Sequence, residues 1–147
     1  MKKSVKVRNI RNKNLHHELV KLLLKSNISN TKFSKNRVSL NFFGHRISDR
    51  IMVKKQPHIA EWSRKKGERK IIIDKYFKEK AMKKSLRALC IHEAIERFLV
   101  KKYGLNTDKE AHVVATQKEK EYLESVNGNW RSHELKVFWD WHKLGEH

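Results

Sequence analysis

The stretch "RALCIHEAIERFLVKKYGL" at residues 87–105 places one imidazole and two carboxylates inside a largely apolar run. On a helix that turns by about 100° per residue, apolar side chains surround residues 88–100 on most sides, which predicts a buried helix. His92 and Glu96 lie one turn apart on this helix, about 40° from each other, so both side chains can coordinate one ion. Glu93 lies about 100° from His92, where it can reach a water beside the ion without binding the ion itself.

Buried carboxylates and imidazoles are costly unless they are paired, hydrogen-bonded or bound to a metal. The sequence leaves two readings of this cluster open. Glu93 could form an ion pair with Arg97 at i+4, and His92 could be a core histidine that is hydrogen-bonded to Glu96. Alternatively the cluster holds a metal ion. The single cysteine, Cys90, excludes an internal disulfide and any cysteine-rich zinc site, so His and carboxylates would have to supply the ligands.

The motif "HEAIE" follows the strand-like "KIIID" and resembles the active-site helix of zincin-type metallopeptidases. The longer pattern "HEAIERFLVKKYGL…EAHVVATQKEKEY", within residues 58–125, is similar to a group of small archaeal proteins. In the gluzincin branch the metal takes two histidines from this helix and a glutamate from a second helix. Here the first helix offers His92 and Glu96, and the second offers His112, so the same ligand types are exchanged between positions.

The resemblance therefore implies a Zn²⁺ site made of His92, Glu96 and His112, with one position left open for water. Glu93 would be the catalytic general base. Glu119, seven residues after His112, would either orient an imidazole or act as a fourth ligand. A histidine in an ordinary, partly buried position and a glutamate paired with a lysine remain the alternatives for His112 and Glu119.

Hydrophobic periodicity and turn residues predict an α+β fold in which a small antiparallel sheet or hairpins pack with about four helices. The resemblance implies a zincin-like minimal core. A single domain over 14–147 is expected to follow a basic flexible arm at 1–13. The first predicted elements are a helix over 14–27, two strands in 37–53 that turn near Gly44, and a hairpin over 58–74. A long helix is predicted to begin near Lys78 and to end at Tyr103, where Gly104 stops it. Two more helices are predicted, one over 109–125 capped by Thr107 or Asp108, and one over 130–143.

The positive charge is confined to one part of the chain. Residues 1–87 contain 26 Lys and Arg and 6 Asp and Glu, which gives a net charge of +20. Residues 88–147 contain 9 Lys and Arg and 10 Asp and Glu, which gives a net charge of −1. A basic half beside a neutral half favours nucleic acid or another polyanion as partner. The residues expected to contact it are Lys2, Lys3, Lys6, Arg8, Arg11, Lys13, Arg64, Lys65, Lys66, Arg69 and Lys70.

Three functions follow from these patterns. The first is a zinc-dependent hydrolase with a peptide substrate, recruited by its basic half to nucleic acid or an acidic target. The second is a non-enzymatic DNA- or RNA-binding protein of an archaeal plasmid or virus with a structural or relic metal site. The third is a metal-dependent nuclease, although Mg²⁺ nucleases usually use more carboxylates. No apolar run approaches the length of a membrane span, which predicts a cytoplasmic protein without a membrane partner.

Overall fold

The computed structural model describes residues 13–145 of the chain, and side chains from 15 to 140. This part of the chain folds into five helices and a five-stranded sheet, which confirms the predicted α+β class. The helices are α1 (Lys13–Lys25), α2 (Lys75–Lys80), α3 (Lys83–Tyr103), α4 (His112–Ser125) and α5 (Trp130–Gly145). The strands are β1 (Ile28–Ser34), β2 (Arg37–Phe42), β3 (His45–Lys54), β4 (Ala60–Trp62) and β5 (Lys70–Asp74).

The strands are ordered β1-β2-β3-β5-β4 across the sheet. Both predicted hairpins form: β2 pairs antiparallel with β3, and β4 with β5. The β2–β3 turn contains Phe43 and Gly44, both with positive φ, as a two-residue hairpin turn of matching twist requires. The sheet is mixed, however, because β3 and β5 run parallel. The chain leaves β3 through residues 55–59, forms the edge strand β4 and returns as β5 between the two.

Helix α3 is the centre of the fold. Residues 88–99 are buried on every side of the helix, as its apolar run predicts. The helix packs against β2, β3, β4 and β5 on one side and against α4 on the other. His92, Glu93 and Glu96 therefore lie in the interior, between the sheet and the helices that follow.

The helix ends fix the positions of the residues around the site. Gly104 ends α3 in the left-handed conformation with φ of 69°, which confirms the predicted stop. The predicted cap of the next helix, Thr107 or Asp108, is wrong. The Asn106 side chain instead accepts a hydrogen bond from the Lys109 N–H at 2.8 Å. A π-helical turn, Thr107–Ala111, follows, and α4 begins at His112.

The predicted basic arm lies outside the described residues except for Lys13, which is the first residue of α1. A further strand, β1, lies in a polar segment for which the sequence predicts no element; its sequence "ISNTKFS" lacks the apolar alternation of a typical strand. Within the described range, none of the helices combines the length and the apolar character needed to cross a membrane.

Candidate metal centre

Two helices bring the three predicted metal ligands together. His92 and Glu96 come from α3, and His112 is the first residue of α4. Nε2 of His92 and Nδ1 of His112 each lie 3.2 Å from Oε2 of Glu96. One ligand atom from each of the three residues lies within 4.8 Å of the others. His92 and Glu96 are buried and His112 is exposed, so the cluster has an interior side and a solvent side.

This spacing fits a small tetrahedral cation. Zinc binds nitrogen and carboxylate oxygen at about 2.0–2.2 Å, and two donors at a tetrahedral angle are then about 3.3 Å apart. The two separations of 3.2 Å to Glu96 Oε2 agree with that value. Two histidines and one glutamate are also a ligand set that catalytic zinc sites use. The same separations also suit hydrogen bonds. The ligand types and the surrounding residues must therefore distinguish a metal site from a hydrogen-bonded cluster.

Trp62 fixes the orientation of Glu96. The indole N–H donates to Oε1 of Glu96 at 2.9 Å, in a buried contact between β4 and α3. Because Oε1 is held in this way, Oε2 faces the two histidines. Trp62 was not predicted from the sequence, since it lies 34 residues before Glu96 and no spacing pattern links the two.

Glu119 binds two imidazoles. Its Oε1 lies 2.8 Å from Nδ1 of His92, and its Oε2 lies 2.5 Å from Nε2 of His133 on α5. A carboxylate that accepts from Nδ1–H of a histidine fixes the tautomer and leaves Nε2 available to a cation. This geometry fits the orienting role among the two predicted for Glu119, and it replaces the alternative in which Glu119 pairs with a lysine. His133 is a second residue that sequence patterns missed.

Glu93 lies beside these ligands. It is buried, lines the same cleft, and its Oε2 is 4.0 Å from Nε2 of His92. The alternative ion pair with Arg97 is absent because the guanidinium of Arg97 binds Asp49 on β3 through two hydrogen bonds of 2.6 and 2.8 Å. Glu93 is thus a buried carboxylate whose ion-pair contact is with the candidate ligand His92.

The charges in the cluster perturb one another strongly. Burial by itself would lower the pKa of His92, but hydrogen bonds to Glu119 and Glu96 raise that pKa to about 10. Burial raises the pKa of Glu93 to about 7, and the negative charges of Glu96 and Glu119 act in the same direction, against the charge of His92. Despite burial, hydrogen bonds with His112 and His92 hold the pKa of Glu96 below its usual range. Glu119 likewise has a lowered pKa, because its hydrogen bonds to His133 and His92 outweigh burial.

A cleft of about 610 Å³ opens over this cluster. The edge strand β4 and the residues before it form one wall, and α5 forms another. The lining residues are His58, Ile59, Ala60, Glu61, Arg64, Leu89, His92, Glu93, Glu96, His112, Thr116, Glu119, Trp130, His133, Glu134 and Val137. The candidate ligands are therefore accessible to a substrate from one side.

The basic residues between β4 and β5 that are predicted to contact nucleic acid differ in their exposure and in their neighbours. Arg64 is exposed, lies 3.4 Å above the Trp62 ring and lines the cleft. Lys65, Lys66 and Arg69 are also exposed. Lys70 is half-buried, and its Nζ lies 3.5 Å from Glu68. The remaining predicted contacts, Lys2, Lys3, Lys6, Arg8, Arg11 and the side chain of Lys13, lie outside the described part of the chain.

Comparison of the chain with protein-family models, with curated proteins and with solved structures finds no match. The zincin resemblance therefore depends on the helix motif and on the ligand types alone. A function has to be argued from the chemistry of the site.

Proposed function

We propose that this protein is a zinc-dependent hydrolase of the zincin type that cleaves peptide bonds. His92, Glu96 and His112 would hold the metal. The observation that carries the proposal is the approach of His92 Nε2 and His112 Nδ1, each at 3.2 Å, to the same carboxylate oxygen of Glu96. Glu93 stands next to this point in an open cleft.

The charge balance of the cluster supports a bound cation. Three carboxylates, those of Glu93, Glu96 and Glu119, are buried in the site. Buried carboxylates require compensating charge or hydrogen bonds; His92, His112 and His133 provide these to Glu96 and Glu119, whereas the ion-pair contact of Glu93 is with His92 at 4.0 Å. A divalent cation at His92 and Glu96 would replace the proton that these side chains share.

When bound, Zn²⁺ would supply Lewis-acid activation of water and of the scissile carbonyl. Glu93 would accept the proton that the attacking water loses and later return it to the leaving amine. Its carboxylate suits both transfers by position, since Oε2 lies 4.0 Å from Nε2 of the proposed ligand His92 and Glu93 lines the cleft. Glu119 and Trp62 would hold the ligands in place through His92 and Glu96 respectively.

The edge strand beside the cleft supports a peptide substrate. β4 pairs with β5 on one side only and is the last strand of the sheet. The edge of such a strand offers backbone N–H and C=O groups to an extended peptide, which can add as another strand. Ala60 and Glu61 of β4 line the cleft that contains the candidate ligands, so a peptide paired there would pass over the site.

The first test is metal content. The protein would be purified without chelator, supplied with zinc, dialysed and measured by elemental mass spectrometry. We expect about one zinc ion per chain in the wild type, and its loss in Glu96→Ala and His112→Ala. His17→Ala, an exposed histidine on α1, is the matched control and should retain the metal. A wild type without zinc would overturn the proposal.

The second test separates a catalytic site from a structural one. Wild-type protein and Glu93→Gln would be compared on unfolded casein and on labelled DNA and RNA. We expect peptide cleavage by the wild type only, with zinc retained in both proteins. Bound zinc without any hydrolysis would make the metal structural. If the wild type cleaves only nucleic acid and Glu93→Gln does not, the protein is a nuclease and the proposed peptidase activity is wrong.

A further inference from the structure

Along β2 and the first half of β3 the sheet has one face toward the helices and one face toward solvent, whereas β5 is buried on both faces over residues 71–74. On β2 and β3, Val38, Leu40, Ile47 and Asp49 are buried against the helical layer. The alternate residues point the other way and are exposed or half-buried, as the two-residue period of a strand requires. These outward residues are Arg37, Ser39, Asn41, Arg46, Ser48 and Arg50.

Like charges are placed opposite each other on this outward face. Arg37 on β2 is the direct partner of Arg50 on β3, and Arg50 is the partner of Lys70 on β5. Like charges directly opposite across strands destabilise a sheet. Glu68 lies near Lys70 at 3.5 Å, whereas within the described part of the chain neither Arg37 nor Arg50 forms an ion pair within 4 Å. An anionic partner would turn this unfavourable placement into a binding surface.

Two of the arginines are held by neutral groups. The guanidinium of Arg46 donates to the carbonyl of Asn30, to Oδ1 of Asn41 and to Oγ of Ser39 at 2.9–3.0 Å. Arg37 donates to Oγ of Ser48 at 3.1 Å. Neutral acceptors fix the orientation of a guanidinium without cancelling its charge, so these groups are pre-oriented for an anion.

A basic groove meets this surface at Arg46 and lies on the helical side of the sheet. It has a volume of about 320 Å³ and lies between the first half of β3 and the C-terminal end of α3. Arg46 belongs to both the face and the groove, and Arg69, Lys101 and Lys102 also line the groove. Arg97 lies there as well, but Asp49 neutralises it through two hydrogen bonds. We call Arg37, Arg46 and Arg50 together the outer basic face; Arg69, Lys101 and Lys102 lie beside it, on the helical side of the sheet.

We propose that the outer basic face binds the phosphate backbone of double-stranded nucleic acid without sequence preference. Guanidinium and ammonium groups match phosphate oxygens, and release of counterions from the duplex favours such binding. None of the outward side chains of the described strands is aromatic. Single-strand binders use aromatic rings to stack bases, so a duplex is the better fit. Arg37, Arg46 and Arg50 are not among the contacts expected from the sequence, and none of them belongs to the candidate metal site.

The test compares two variants of equal charge. Arg37→Gln, Arg46→Gln and Arg50→Gln would be combined in one protein. Lys75→Gln, Lys78→Gln and Lys84→Gln would be combined in the control, because these exposed lysines follow β5 at the other end of the sheet. Affinity for a labelled 20-base-pair DNA duplex of arbitrary sequence would be measured by fluorescence anisotropy over a series of salt concentrations. Circular dichroism would establish that both variants are folded.

We expect the arginine variant to bind the duplex at least roughly tenfold more weakly than the control at moderate salt. Its slope of log K against log salt should be shallower by about 2.7, since each phosphate contact contributes about 0.9. Equal affinity of the two folded variants for the duplex would overturn the proposal. Any duplex binding would then be due to other basic residues. Failure of the wild type to bind duplex while it binds polyglutamate or single-stranded DNA would also overturn it. Both readouts are independent of zinc and of hydrolysis.

Discussion

At the scale of single residues, three buried glutamates in one cluster have three different surroundings. Glu96 is held by an indole N–H and faces two histidines, so its charge is stabilised. Glu119 accepts from two imidazoles, one at each of its carboxylate oxygens. Burial and the charges of Glu96 and Glu119 raise the pKa of Glu93 to about 7, despite the opposing charge of His92. These differences favour a ligand, an orienting group and a base respectively.

The role of Glu119 leads to the first prediction. Glu119→Gln keeps an acceptor near Nδ1 of His92 but removes the negative charge that strengthens this hydrogen bond. Groups that orient a metal ligand in this way typically change metal affinity by about 10- to 100-fold. We expect zinc affinity to fall by that factor, measured by competition with a chromophoric chelator at constant pH.

Glu124→Gln is the matched control for this variant, because Glu124 is exposed on the same helix, α4. It should bind zinc as the wild type does. A Glu119→Gln protein with unchanged affinity would contradict the orienting role. A protein that no longer binds zinc at all would identify Glu119 as a direct ligand, the other role predicted from the sequence.

At the scale of elements, the position of α3 on the sheet is fixed by a buried ion pair. Arg97 on α3 binds Asp49 on β3 through two hydrogen bonds, and both side chains are almost fully buried. Removal of one member leaves an uncompensated buried charge, which costs about 3–5 kcal/mol. We therefore expect Asp49→Leu to lower the free energy of unfolding by that amount, measured by urea titration with circular dichroism.

A double-mutant cycle tests this explanation of the loss. Arg97→Met alone should be similarly destabilising, whereas Asp49→Leu combined with Arg97→Met should recover most of the stability, since no charge is then buried. Asp108→Leu, at an exposed position, should stay within about 0.5 kcal/mol of the wild type. Additive losses in the double variant would show that the two residues do not act as a pair.

The elements also show what a sequence can predict. The apolar run of α3, the glycine that ends it and the two hairpins are local signals that formed as predicted. The helix predicted to begin near Lys78 begins instead at Lys83, after the separate short helix α2. The parallel pairing of β3 with β5 was not predicted, because the order of strands depends on contacts distant in sequence. Trp62 and His133 were missed for the same reason: tertiary packing alone brings them to Glu96 and Glu119. The ligand types had a local signal in the helix motif, whereas their supporting residues had none.

At the scale of the whole molecule, the candidate metal site is an acidic centre in a strongly basic chain of net charge +19. The site takes its carboxylates from the segment at 88–147, where acidic and basic residues nearly balance. The outer basic face takes its arginines from β2 and β3, which come earlier in the chain. The fold thus places two chemically opposite surfaces on one small domain, so binding at one can be tested without loss of the other.

The last prediction concerns the stability of the molecule as a whole. The proposed ligands lie on α3 and α4, and they meet only when these helices pack. Zinc at about one hundred times its Kd should therefore raise the free energy of unfolding by about 2.7 kcal/mol. The tryptophan fluorescence midpoint in urea should rise accordingly in the wild type and in His17→Ala, but stay constant in His112→Ala. An equal rise in all three proteins would place the bound zinc elsewhere and would count against a site shared by the two helices.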